Sequence, residues 1–195
     1  DARRSRTKLM DPIERRVRNT LAASEFPFEL IDCDPSLADT AEFCAAYGYP
    51  LDQSANTIVV ASKRPRGVNA ACVVLAPTRL DVNRRVREAL DVKKLSFASP
   101  EVTADLTGMA MGGVTPIALP EGLPVLVDSR VMDSDWVIVG GGSRSLKVKL
   151  STDYFSSLAA AQIVEDLAIV PSPSPSSVAS PPVSGIDPPS RDRNE

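Results

Sequence analysis

The 195-residue chain contains no histidine. That absence removes Ser-His-Asp and Cys-His catalysis, the HExxH metal site and every zinc site that uses an imidazole. Cysteine is scarce: Cys33, Cys44 and Cys72 form an odd, scattered set without a CxxC pair. Such a set argues against a disulfide framework or a Cys-only zinc site. The thiols read as small core residues of a reduced, cytoplasmic protein. Aromatic residues make up only 5% of the chain, and no ladder of them is set out to stack single-stranded bases. No apolar run approaches the roughly 20 residues of a membrane span. The basic N-terminus lacks the apolar stretch of a secretory signal. A net charge of -3 argues against broad, non-specific affinity for nucleic acid. Any chemistry must run on lysine, carboxylates, hydroxyls and backbone amides, with neither metal nor cofactor expected.

What is present suits one folded domain, 43% hydrophobic and 24% charged. Residues 1–10 are polar and basic and are expected to be disordered. From residue 171 proline and serine dominate and no aromatic residue remains, so residues 171–195 are expected to be a disordered tail. Between them, residues 11–170 read as a mixed α/β domain with mostly antiparallel strands. Asp11-Pro12 is a helix start, and Ile13, Val17, Thr20 and Leu21 mark one face of that helix. Strands are expected at 26–33, 56–63, 70–77, 125–129, 136–140 and 145–151, with Arg64-Pro65-Arg66-Gly67 as a hairpin turn. Helices are expected at 36–47, stopped by Gly48, at 81–90 behind Asp81, and from Ser151 to Ala168 as a closing element. Pro100 to Leu106 reads as one short helical turn. In SLKVKLS, Leu146, Val148 and Leu150 share one face and Lys147 and Lys149 the other.

The segment TGMAMGGVTPIALP, Thr107 to Pro120, stands apart. It is neither a GxGxxG fingerprint nor a phosphate loop followed by GK[ST]. Gly112 and Gly113 carry no Cβ, so their N–H groups can approach a ligand, and Pro116 stiffens the exit. A backbone-amide site for an oxyanion or carboxylate fits this pattern; a tight structural turn fits it as well. Gly140-Gly141-Gly142 reads as an opposite wall or as an ordinary turn.

These pieces, in this order, resemble the YbaK family of aminoacyl-tRNA deacylases and the related editing domain of bacterial prolyl-tRNA synthetases. The matching features are Asp34-Pro35 after the first strand, ANTIVV at 55–60 and the TGxxxGGVTPI loop at 107–117. VLVDS around Asp128 and the GG-x-R-x-L segment from Gly141 belong to the same pattern. The resemblance covers residues 11–168. It implies a mixed sheet curling toward a barrel, flanked by helices, with a cleft beside the glycine loop. It also implies hydrolysis of the ester between a wrong amino acid and the terminal ribose of tRNA, needed because an apolar pocket resolves one methylene by only about 1–3 kcal/mol.

Carried over residue by residue, the resemblance places Gly112 and Gly113 at the developing negative charge. Gly108, Thr115, Pro116, Gly141, Gly142, Thr57 and Ile31, where the family has an aromatic residue, would surround the substrate. The family's lysine position holds Asn56 here, and a functional aspartate position holds Lys147. Either the cationic role has crossed the cleft to Lys147, or the pocket binds without cleaving. A solvent-facing strand lysine is an equal reading of Lys147, and a protein-interaction module using the tail is a third. Lys63, Arg64, Arg66 and Arg144 are candidates for a basic rim on tRNA phosphates, with the aminoacylated acceptor end as partner and the chain acting as a monomer.

Overall fold

The computed structural model describes residues 10–171; all but the last residue of the expected disordered N-terminus and all but the first residue of the expected tail lie outside that range. Asp11 accepts a hydrogen bond from the Ile13 N–H at 2.7 Å, and Pro12 opens helix α1 (Pro12–Ala22). A proline costs nothing there, because the first helical N–H has no partner in any case. Val17 and Leu21 bury the inner face of α1.

A separate antiparallel pair joins β4 (Arg79–Leu80) to β10 (Ala168–Ile169), and two sheets share the core. One has three strands: β1 (Phe28–Asp32) lies against β8 (Leu146–Ser151), and β7 (Trp136–Gly140) lies on the other side of β8. Both pairings are antiparallel. The other sheet is built on the hairpin of β2 (Ala55–Arg64) and β3 (Arg66–Leu75), joined at the expected turn. β5 (Lys94–Phe97) extends it on one side, and β6 (Val125–Asp128) and β9 (Ala161–Val164) on the other, in the order β5-β2-β3-β6-β9. The pairs β3–β6 and β6–β9 are parallel, so the sheet is mixed. A parallel bridge, Ser54 to Ile138, joins the two sheets. They curl around one core but do not close into a barrel.

The alternation read in SLKVKLS holds: Leu146, Val148 and Leu150 are fully buried beside Val137 and Val139. All three cysteines are free and buried, as small core residues should be. Asp128 is buried as a strut: it accepts from the Arg130 side chain and, at 2.7 Å, from the Ala168 N–H.

Two expected helices are corrected. Residues 36–47 are not one helix. A 3-10 turn (Pro35–Leu37) is followed by α2 (Thr40–Tyr47), and Asp39 between them is extended at φ -66, ψ 138. The break turns the Ala38 carbonyl out of any helical ladder and frees it for another donor. The closing helix is also shorter than expected. Only Asp153–Ser157 is helical; Leu158 turns extended, and Ala161–Val164 takes the open edge of β6. A strand edge with unpaired N–H and C=O groups selects β-branched Ile163 and Val164 over the local helical pattern.

Behind Asp81 a π-helical turn (Val82–Val86) runs into α3 (Arg87–Ala89), and the rest of the scaffold positions the cleft. Ser99 caps helix α4 (Pro100–Thr107) through the Val102 N–H, and Gly108 ends it at φ +74. The segment 109–120 then carries the glycines back across the mouth between the sheets.

Candidate functional site

A cleft of about 460 Å³ opens where the two sheets meet the start of α2. One wall is backbone-rich, from Met111, Gly112 and Val114 in the loop and Gly140 at the end of β7. The other is built of side chains: Asp39, Thr40 and Phe43 from the α2 region, Asn56 and Thr57 from β2, and Lys147 from β8. Phe97 and Ala98 continue the cleft past the end of β5. The structure thus brings Asn56, Thr57, Gly112 and Lys147 together, although the chain spreads them over some ninety residues.

The bare backbone of the glycine loop answers mainly to another stretch of backbone. A Cβ on Gly113 would fall 2.6 Å from the Ser143 carbonyl carbon, and one on Gly140 would strike the Val114 carbonyl oxygen. Gly142 donates to the Gly113 carbonyl at 2.9 Å, and Gly113 donates to Ala110 at 3.1 Å. The two glycine runs are therefore packed on one another. The Gly113 N–H is spent inside the loop, which corrects its expected place at a developing oxyanion. Gly112 differs: it is exposed, lines the cleft at φ +85, and a Cβ there would meet the Arg144 guanidinium. Among the described residues no acceptor takes its N–H.

Several expected substrate contacts become structural ones. Gly108 caps α4 and lies against Ile13 of α1. The Thr115 hydroxyl accepts from the Ile117 N–H in the buried base of the loop, where Pro116 is buried too. Gly141 donates to the Leu146 carbonyl at 2.9 Å, and Gly142 packs on Ile13. Ile31 sits opposite Lys147 in the ladder but packs with Phe43 and Cys33 outside the cleft lining. The contacts of these residues lie within the scaffold: a helix end, a loop base and the packing of one glycine run on α1.

Lys147 is only 5% exposed although it faces the polar side of its strand. The solvent-facing reading is therefore corrected, because α2 covers that face of the sheet. Its ammonium donates to the Ala38 carbonyl at 2.6 Å and lies 5.5 Å from the centre of the Phe43 ring. An ammonium carries three donors, and among the described residues no carboxylate lies within ion-pair distance of it. Burial pulls its pKa below the usual lysine value, partly opposed by Cys33, Cys44 and Asp39. Beside it, Asn56 accepts from the Thr40 hydroxyl at 2.7 Å, which leaves the Asn56 NH₂ group as a donor. The Thr57 hydroxyl is buried with no protein partner.

The expected basic rim divides. Arg144 lies at the mouth: its Nε donates to the Pro35 carbonyl at 3.1 Å, and its Nη1 is 3.6 Å from Asp39. Lys63, Arg64 and Arg66 sit at the tip of the β2–β3 hairpin, four or more residues along the strand from Val59 in the cleft wall. At about 3.4 Å per residue that is roughly 14 Å or more away.

Asp39, Phe43, Phe97 and Met111 also line the cleft and escaped the sequence reading. Asp39 had a signal: an Asp followed by a helical run is a start site, but the helix was begun at Ser36. Phe97 and Met111 had none, because nothing local distinguishes an apolar residue at a cleft mouth from one in a core.

The cleft between the two sheets thus gathers a buried ammonium, an amide and a hydroxyl on one wall and exposed main chain on the other. The description of the aminoacyl-tRNA editing domain matches residues 34–158, and the chain belongs to that family. Solved structures share the fold. A candidate trans-editing enzyme for prolyl tRNA synthetase superposes with a TM-score of 0.69 at 24% identity, over 80% of this chain and 97% of that one. The hypothetical protein APE2540 gives 0.70 at 24% identity, over 79% and 99%. A scaffold protein used for epitope backbone grafting gives 0.67 at 20%, over 80% and 97%. At these identities the likeness establishes the fold. No helix among the described residues is long and apolar enough to cross a membrane.

Proposed function

We propose that residues 11–170 hydrolyse the ester joining a mischarged amino acid to the terminal ribose of tRNA, acting in trans as a cytoplasmic monomer. One observation carries the reading: the Lys147 ammonium is buried in the cleft wall without a carboxylate in ion-pair distance among the described residues, next to amide and hydroxyl donors. A charge held in a low-dielectric wall without its own counter-ion is suited to a negative charge that appears only in the transition state.

In this mechanism water adds to the ester carbonyl carbon, and the carbonyl oxygen takes the electron pair. Lys147, the Asn56 NH₂ group and the Gly112 N–H stabilise that oxygen. The adjacent ribose hydroxyl orients the water, and Asp39, the one carboxylate in the lining, accepts its proton. Collapse of the intermediate breaks the bond to the ribose oxygen, which takes back the proton held by Asp39, and releases the free amino acid. Arg144 sits where the last phosphates would enter, with the hairpin residues Lys63, Arg64 and Arg66 as outlying contacts.

A panel of misacylated tRNAs scored for ester release tests the reading. Wild-type chain should hydrolyse at least one of them, and a chain cut after Val170 should do so equally. Retention of every aminoacyl-tRNA intact would favour a second reading, that of a binding module. That alternative draws on the contacts already committed within the cleft, Lys147 to the Ala38 carbonyl and Gly113 to Ala110.

A further inference from the structure

Two of the most exposed large apolar side chains, Phe97 and Met111, both line this one cleft, each 56% accessible. They come from separate elements, the end of β5 and the glycine loop. Neither is drawn into the aromatic clusters of the core, where Phe43 stacks on Tyr47 and Tyr49. Holding two such groups in water forgoes their burial, and a cleft mouth is where a ligand can recover it. The polar groups lie in the wall beyond: Thr57, Asn56 and Lys147. Arg144, in contact distance of Gly112 next to Met111, adds a partly exposed cation at the same mouth.

This order matches a nucleotide whose ribose carries the ester. We propose that Phe97 and Met111 form a base-binding lip that stacks the terminal purine, with Arg144 on its phosphate. The inference rests on the editing reading for the identity of the ligand, but the lip itself can be tested without hydrolysis. An aromatic face and a thioether are both suited to a flat π surface, and the cation supplies charge complementarity to the phosphodiester.

The test titrates the full chain with adenosine 5′-monophosphate and with ribose 5-phosphate, following the Phe97 ring and Met111 methyl resonances. Wild type should prefer the nucleotide by roughly 5- to 150-fold, the range that one stacked base contributes. Phe97→Ala with Met111→Ala should bring the two ligands to equal affinity, while Phe97→Tyr keeps the preference. Both side chains are more than half exposed, so the double variant should keep its fold, which circular dichroism checks. Equal affinity in wild type, or a preference that survives in the double variant, overturns the lip. The 3′-alanylamino-3′-deoxy analogue of adenosine separates the two claims. If it binds no better than adenosine 5′-monophosphate while the base preference responds to Phe97, the lip stands and the editing reading falls.

Discussion

The two walls of the cleft are made by opposite means. The wall of Gly112, Val114 and Gly140 is main chain laid against main chain, and its glycines are fixed by collision: a Cβ at Gly113 or Gly140 has nowhere to go. The facing wall of Asp39, Asn56, Thr57 and Lys147 is side chain throughout, and each of these residues could be exchanged without moving a strand. A backbone wall is dictated by packing and tolerates almost no substitution. A side-chain wall sets the chemistry and is free to be rewritten.

The largest effects should separate positions within the glycine wall itself. Gly140→Ala and Gly113→Val place new atoms against backbone, which cannot yield as a side-chain end can, so each should cost about 3 kcal/mol or more. Loss of a cooperative thermal transition would show it. Gly112→Ala meets only the flexible Arg144 side chain and pays for its positive φ, about 1–2 kcal/mol. The backbone clash at Gly113 makes its substitution a loss of fold, so an effect on binding that exceeds the effect on stability is expected at Gly112 alone. Equal destabilisation at 112 and 113 would break the distinction between loop packing and ligand contact.

On the other wall the effects should fall on turnover. Lys147→Ala removes a charged donor to the carbonyl oxygen and should lower kcat/KM roughly 10- to 150-fold, whereas Asn56→Ala removes a neutral one and should lower it roughly 2- to 13-fold. Steady-state ester release by both variants sharpens the comparison. Activity that survives Lys147→Ala would move the catalytic charge elsewhere in the cleft.

The backbone wall was legible in the sequence and the side-chain wall only partly so. Adjacent glycines beside a Thr-Pro-Ile run leave few conformations, so the loop could be read from local sterics, whereas the cleft beside it came from the family resemblance. Helix starts at Asp11 and Asp81 were local too, because capping is a contact over two or three residues. The site depends on contacts that no local rule contains. Lys147 meets the Ala38 carbonyl across 109 residues, and that carbonyl is free only because the helix expected at 36–47 breaks at Asp39. The same alternation that correctly put Lys147 on the polar face could not reveal that α2 covers that face. The closing helix failed for the related reason that the open edge of β6 lies more than thirty residues earlier in the chain.

The smallest predicted effect tests whether Lys147 is held at a cost to the fold. Its pKa in the folded chain lies below the ordinary value of 10.5, with burial as the largest cause, while the unfolded chain keeps the ordinary value. Between those two values the unfolded state binds more protons than the folded one, so stability rises with pH across that window. Below the window both states are protonated and the full cost of burying the charge is present; above it both are neutral and the cost has gone. Each unit of depression corresponds to about 1.4 kcal/mol. Lys147→Met keeps the volume and removes the proton, so its stability should lack this alkaline rise. Urea unfolding of both chains from neutral pH to about 10.5 measures the difference: the gap should move in favour of wild type as pH increases. Parallel curves would mean that the Ala38 carbonyl and the Phe43 face solvate the ammonium as well as water does, and that its readiness for a transition-state charge has another origin.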